Sequence, residues 1–225
     1  MSSAAYGLAG NLRCVTEISG PEPGTEINLG EPAFARPAST VIVMRGGSES
    51  LEVLLVQRGH GARFMGGVWV FPGGAVDADE GAGEDALRAA AVREVEEEAS
   101  INLGAPADLI PFSRWITPKV VSIRFDTWFF LAHLPEGAEA VVDGEECIDH
   151  TWLAPEAALA AHREGTLEMV FPTIKHLEQI SVFESAKALA EHAAALQVEP
   201  VEPRVSMEGE VARVLLPGEP GYDEA

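Results

Sequence analysis

The chain has 225 residues, 47% of them hydrophobic and 23% charged, which suits one globular domain with embellishments. Fifteen basic residues against 36 acidic ones give a net charge of −21, which argues against a nucleic-acid binder, since that would need a basic face. No apolar run reaches the roughly 18 residues of a membrane span, and two cysteines, Cys14 and Cys147, do not make a disulfide framework; no membrane partner and a reducing cytoplasm are expected.

Residues 1–37 are rich in proline, glycine and small side chains and read as an extended arm, with one strand around Cys14 to Ile18. A domain over 38–197 opens with a strand from Ser39 to Arg45, the turn Gly46-Gly47-Ser48 and a partner strand from Leu51 to Gln57, together a hairpin. A loop over 59–67 and a short apolar strand from Val68 to Phe71 lead to Pro72-Gly73-Gly74, and an acidic, glycine-rich loop follows. The spacing of Leu87, Ala91, Val95 and Ala99 predicts a helix from about Asp85 to Ala99. Pro111 to Thr117, Val120 to Ala132 and a stretch near His150 to Leu153 are strand-like. Pro155 to Arg163 starts a helix with proline in its first turn, and 172–196 holds one or two more. The tail, 198–225, carries a strand-like Val211 to Leu216, expected to pad the core or a second subunit, which leaves a homodimer open. Strands and helices mix without strict alternation, so the fold class expected is α+β, a sandwich with a mixed sheet.

The helix over 85–99 carries an unusual charge pattern. Glu94, Glu97 and Glu98 fall three and four residues apart and share one side. At about 6 Å and an effective dielectric near 20, each pair of carboxylates repels by roughly 3 kcal/mol before screening, and acids in a last turn oppose the helix dipole. A divalent cation reverses that sign. Glu94 and Glu98 each precede a position of the apolar stripe, at the edge of the buried face, which suits a cleft better than open water.

With Phe71-Pro72-Gly73-Gly74 before them, Arg93, Glu94, Val95, Glu97, Glu98 and Ile101 resemble the signature of the Nudix hydrolases, G-x5-E-x7-R-E-U-x-E-E-x-G-U with U aliphatic. Gly74 stands for the glycine. Ten residues, not five, separate it from Asp85, the position eight before Arg93, so either Asp85 or Glu84 fills the place of the family acid that orients the arginine. Ser100 replaces the glycine that closes the helix. Leu54-Leu55-Val56-Gln57-Arg58, then Arg63, Gly67 and Phe71-Pro72-Gly73-Gly74, look like the motif of the coenzyme A diphosphatases of that family, and Arg124 to Thr127 with Phe171-Pro172-Thr173 look like its peroxisomal-type branch.

The resemblance implies a Nudix-type α/β/α sandwich and a pyrophosphohydrolase that uses Mg2+, or Mn2+ in its place. Glu94, Glu97 and Glu98 are the implied metal ligands, and Glu97, Glu98 and Glu146 the catalytic acids. Glu146 lies six residues before Trp152, with Glu145 as its alternative. Arg58, Arg63, Gly73 and Gly74 form the expected substrate-binding set, with Arg93 and Asp85 as structural support. The partner is a nucleotide-type small molecule, CoA or acyl-CoA in preference to ADP-ribose or a dinucleotide; a catalytically silent nucleotide-binding domain is the remaining reading. Trp69 and Phe64 read as core residues, the six histidines as structural or exposed, and Cys147 as a packed strand residue.

Overall fold

The computed structural model describes residues 17–18, 28, 30–61, 66–208 and 211–224. In chain order its strands are β1 (Glu17–Ile18), β2 (Arg36–Arg45), β3 (Glu52–Arg58), β4 (Trp69–Val70), β5 (Gly73–Ala75), β6 (Ile110–Ile116), β7 (Phe125–His133), β8 (Cys147–Leu153), β9 (Pro200–Val201), β10 (Arg204–Glu208) and β11 (Val211–Leu215). The helices are α1 (Glu84–Ala99), α2 (Pro155–Arg163), α3 (Phe171–Ile180) and α4 (Ala186–Ala194). Among the described residues no helix is long and apolar enough to cross a membrane.

Eight strands form one sheet in the order β4-β3-β2-β7-β6-β9, with β5 added to β2 and β8 to β3. β2 pairs β7 in parallel and β6 pairs β9 in parallel, while the other pairs of this sheet are antiparallel, so the sheet is mixed. Alternate side chains of each strand point to opposite faces. Val41, Val43, Leu54, Val56 and Phe130 pack under α1 through Ala91, Val95 and Ala99. Ile42, Met44, Val53, Leu55 and Leu131 pack on the other face against Ala158, Leu177 and Leu189 of α2, α3 and α4. The result is an α/β/α sandwich, as the resemblance implied.

The hairpin expected between β2 and β3 is paired only at Met44–Val53 and Arg45–Glu52. Beyond that the strands part: β2 takes β5 and β7, and β3 takes β4 and β8. The chain over 69–75 fills the opening, with the Val41 amide donating to the Pro72 carbonyl at 2.9 Å. This split carries the glycine turn to the middle of the sheet, next to α1. Gly73 is required there because a Cβ would lie 2.4 Å from the Ser39 carbonyl oxygen and 2.6 Å from Thr40 Cα.

The strand expected from Val120 begins only at Phe125, because 117–124 form a loop organised by buried Arg124. Its guanidinium donates to the Thr117 carbonyl, the Ala33 carbonyl and the Glu202 carboxylate at 2.9, 2.9 and 2.7 Å. The tail strand is found at β11, between β10 and β1 in a separate three-stranded sheet. Val214 and Leu216 of this segment pack against Trp115, Phe129, Phe171 and Val201.

Candidate active site

α1 supplies most of the charged groups of the site. Its buried face consists of Ala86, Ala90, Ala91, Glu94, Val95, Glu98 and Ala99, so two glutamates sit within an otherwise small and apolar stripe. Small residues let the helix lie close to the sheet and bring those acids under the strand ends. Glu94 is 9% exposed and Glu98 3%, whereas the Glu97 side chain is 54% exposed and forms the outer rim.

Glu94 and Glu97 each have one oxygen held and, among the described residues, one without a hydrogen bond, while Glu98 is hydrogen-bonded by the Gly73 amide and the Cys147 thiol. Arg93 Nη1 donates to Glu94 Oε1 at 2.9 Å and to Glu97 Oε2 at 2.8 Å. The Gly73 amide donates to Glu98 Oε2 at 2.9 Å. Gly74 permits the approach of Glu94, since a Cβ there would fall 2.2 Å from Glu94 Oε1. Thus Gly73 and Gly74, expected at the substrate, lie against the acids themselves.

Arg93 is fixed from its other side by Glu80. Nε donates to Glu80 Oε1 at 3.0 Å, Nη2 to the Ala75 carbonyl at 3.1 Å, and Asp77 lies 3.7 Å away. These carboxylates, Glu80 foremost, hold the guanidinium still more firmly protonated than usual. The acid that holds Arg93 is therefore Glu80, which corrects the expectation placed on Asp85 and Glu84. Asp85 is exposed in the first turn of α1, and Glu84 pairs with Arg88 at 2.8 Å. A signal for Glu80 was present: counted forward from Gly74, it stands after five residues, as in the signature. The extra length falls between Glu80 and Arg93, where counting back from the arginine goes wrong.

The opposite wall comes from the ends of β3 and β8. Gln57 faces Asp149 while Arg58 faces Cys147, so Ile148 is a bulge in β8; bulges of this kind re-aim side chains beside functional sites. As a result Cys147, rather than Ile148, stands opposite Arg58, and the chain at Glu146 turns towards Gly59, whose amide donates to the Glu146 carbonyl at 2.8 Å. Asp143 holds this turn by accepting from the amides of Glu146 and Cys147 at 3.0 and 2.9 Å. Arg58 Nη1 lies 3.9 Å from Glu98 Oε1, and among the described residues the buried Arg58 Nε has no hydrogen-bond partner. Arg63 and Phe64, expected near it, lie outside the described residues. Trp69 packs into the core on the far face.

Burial pushes the Glu98 carboxyl up to about 7; the Gly73 amide opposes the shift, Glu94 adds to it, Arg58 opposes it, and Glu146 adds further. Glu94 is also raised, by burial first, against the pull of Arg93. Glu146 is among the charges pushing both carboxyls up, so its side chain is electrostatically coupled to the α1 acids. The Cys147 thiol, fully buried and beside Glu98, is pushed up by desolvation and is no nucleophile.

Among the described residues no three His, Cys, Asp or Glu side chains are gathered into a ready-made metal cage. The donors nevertheless fit magnesium in kind: hard carboxylate oxygens, few in number, as an ion that keeps several waters requires. Two features of the fold point the same way. Gly74 leaves the space that Glu94 occupies, and Glu98 is buried with, among the described residues, only a distant guanidinium against its charge.

The family model described as the NUDIX domain matches residues 35–171, more than half of the chain, and the chain belongs to that family. It is 26% identical to the putative nudix hydrolase 7 of Caenorhabditis elegans over 57% of this chain and 55% of the worm protein, so the match spans little more than half of that relative. Among solved structures, the NUDIX hydrolase from Alicyclobacillus acidocaldarius matches at 26% identity with a TM-score of 0.62, over 73% of this chain and 97% of that one. A mutator MutT protein from Bacillus halodurans, 16% identical with a TM-score of 0.51 over 82% of this chain and 99% of its own, shares the fold.

Proposed function

We propose that the protein is a metal-dependent pyrophosphohydrolase that cleaves the diphosphate of a nucleoside diphosphate linked to another moiety, with CoA or acyl-CoA the favoured substrate. The observation that carries this reading is the row of three glutamates on α1, anchored by Arg93 and the Gly73 amide, with Glu98 beside an arginine whose buried Nε has no hydrogen-bond partner among the described residues. Carboxylate oxygens of Glu94, Glu97 and Glu98 are the groups that would hold Mg2+ or Mn2+. When bound, the ion neutralises phosphate charge and acidifies water. Glu146 takes the proton of the attacking water. The water oxygen bonds to one phosphorus, the bond from that phosphorus to the bridging oxygen breaks, and the second phosphate leaves with the electron pair. Arg58 donates to a non-bridging phosphate oxygen, for which a guanidinium is geometrically suited. Glu80 and Arg93 keep the acids in place and touch no substrate.

The CoA preference rests on Leu54-Leu55-Val56-Gln57-Arg58 and the glycine turn after it, as they stand in the sequence. ADP-ribose or a dinucleotide such as NADH is the second reading. A product assay with magnesium across CoA, ADP-ribose, NADH and diadenosine polyphosphates separates them. CoA should give 3′,5′-ADP and 4′-phosphopantetheine. No CoA turnover beside clear hydrolysis of ADP-ribose or NADH would overturn the substrate, and no turnover of any would favour a silent nucleotide-binding domain.

A further inference from the structure

Arg58 is out of keeping with the other arginines packed around α1. Arg88 and Arg93 each donate several well-formed hydrogen bonds. Among the described residues the Arg58 guanidinium makes none: its buried Nε is unpartnered, and its ion-pair contact is Nη1 to Glu98 Oε1 at 3.9 Å, beyond hydrogen-bond range. It is nevertheless drawn inward, with 29% of its side chain exposed. Its place is fixed by the backbone: β3 ends at Arg58, and the bulge at Ile148 sets Cys147 opposite it. The oxygen it faces, Glu98 Oε1, is the one not taken by the Gly73 amide. A guanidinium left without hydrogen bonds beside a buried carboxylate is held there by charge rather than by geometry, and such a contact is readily exchanged.

We propose that Arg58 is a resident counter-cation of Glu98, occupying the charge position that a metal ion takes on loading and then passing to the substrate phosphate. This deepens the reading above and rests on it. Arg58 and a divalent ion at Glu98 Oε1 would be like charges a few ångströms apart, so the guanidinium leaves the carboxylate as the ion arrives. Its five donors then become available to an anion. Metal and phosphate binding are thereby coupled through one side chain, and the coupling is reciprocal.

The test is a titration of Mn2+ alone into metal-free protein at pH 8, followed by the electron paramagnetic resonance signal of the free ion, with no substrate present. Arg58→Met, which keeps the length and removes the charge, should bind Mn2+ at least about fivefold more tightly than wild type, at the lower end of ordinary coupling between sites. Arg58→Gln carries the same expectation should the methionine variant fold poorly, and Arg58→Lys should stay near wild type. Adding methylenediphosphonate, an uncleavable diphosphate, should tighten Mn2+ binding in wild type more than in Arg58→Met. Mn2+ affinity unchanged or weaker in both neutral variants would overturn the proposal while leaving the metal site intact. Wild type that bound no Mn2+ at all would overturn the metal reading beneath it.

Discussion

Glu98 projects from the buried face of α1 and His176 from that of α3, one on each face of the sheet, and both are almost withdrawn from water. His176 is fully used. Its Nδ1 lies 2.7 Å from the Pro172 carbonyl, which can only accept, so Nδ1 carries the proton and Nε2 accepts from Ser113 Oγ at 2.6 Å. The ring stacks on Phe129 with centroids 4.0 Å apart. Glu98 has the Gly73 amide and the Cys147 thiol but no close cation among the described residues, with two other acids acting on it and Arg58 at arm's length. A buried polar group whose partners are complete serves the fold. One that is left short of partners costs stability and is expected where a ligand completes it.

The sharpest way to break this comparison is Glu98→Gln. It should reduce turnover to below a tenth of wild type, a loss of more than about 1.4 kcal/mol in transition-state stabilisation. The metal-free protein should at the same time melt no lower than wild type near neutral pH, since the substitution removes an uncompensated buried charge. A variant retaining more than a tenth of the activity would remove Glu98 from the ligand set.

The two groups also pull in opposite directions with pH. Glu98 is raised from 4.5 to about 7 in the fold, so its contribution is fully present below pH 4.5 and is lost as pH rises through 7. His176 is lowered from 6.5 to about 4, so its contribution is present above pH 6.5 and is lost as pH falls through 4. Each shift corresponds to about 3 kcal/mol. Between pH 6.5 and 4.5 they offset one another in the metal-free protein. Denaturant unfolding in chelator should therefore show a shallow pH dependence for wild type over that range. Glu98→Gln should instead lose stability on acidification, by at most about 2–3 kcal/mol, because Glu94 alone then opposes His176. Parallel curves for the two proteins would show that one of the shifts is misassigned.

Glu80 and Asp85 separate positioning from proximity in sequence. Glu80→Gln should cost about tenfold in activity, roughly 1.4 kcal/mol, because Arg93 loses its main carboxylate partner and with it the placement of Glu94 and Glu97. Asp85→Asn should stay within about twofold. The reverse ranking would return the orienting role to the start of the helix.

The smallest effect expected is at Ser100, which closes α1 in the left-handed conformation at φ 55°, with its amide donating to the Glu96 carbonyl at 3.0 Å. Ser100→Gly should raise stability by about 1 kcal/mol, the usual penalty for a side chain there, with turnover unchanged. A gain in stability accompanied by lost activity would mean that the tension at this end of α1 serves the site.

α1 was legible in advance, together with the register of Arg93, Glu94, Glu97 and Glu98, because helix periodicity and capping act within a few residues. The apolar runs of β2, β3, β6 and β11 were legible for the same reason. The site residues that no local pattern revealed depend on pairings between distant segments. Arg58 meets Glu98 only because β2 and β3 part after two pairs and α1 packs across the opening. Cys147 stands opposite Arg58 through a one-residue bulge, and a shift of one residue in a strand exchanges the faces of its side chains.

Sequence alone determined the acid row, the glycine turn before it and the mixture of strands and helices, since spacing along a chain fixes which side chains share a helix face. Only the tertiary structure decided which groups hold those acids. Glu80 rather than Asp85 takes Arg93 because the loop over 76–83 folds back on the helix, which no count from the arginine reveals. Ser113 and His176, 63 positions apart, complete one another because β6 and α3 pack on the same face. Both outcomes turn on the burial of polar groups, which must find partners wherever the packing leaves them.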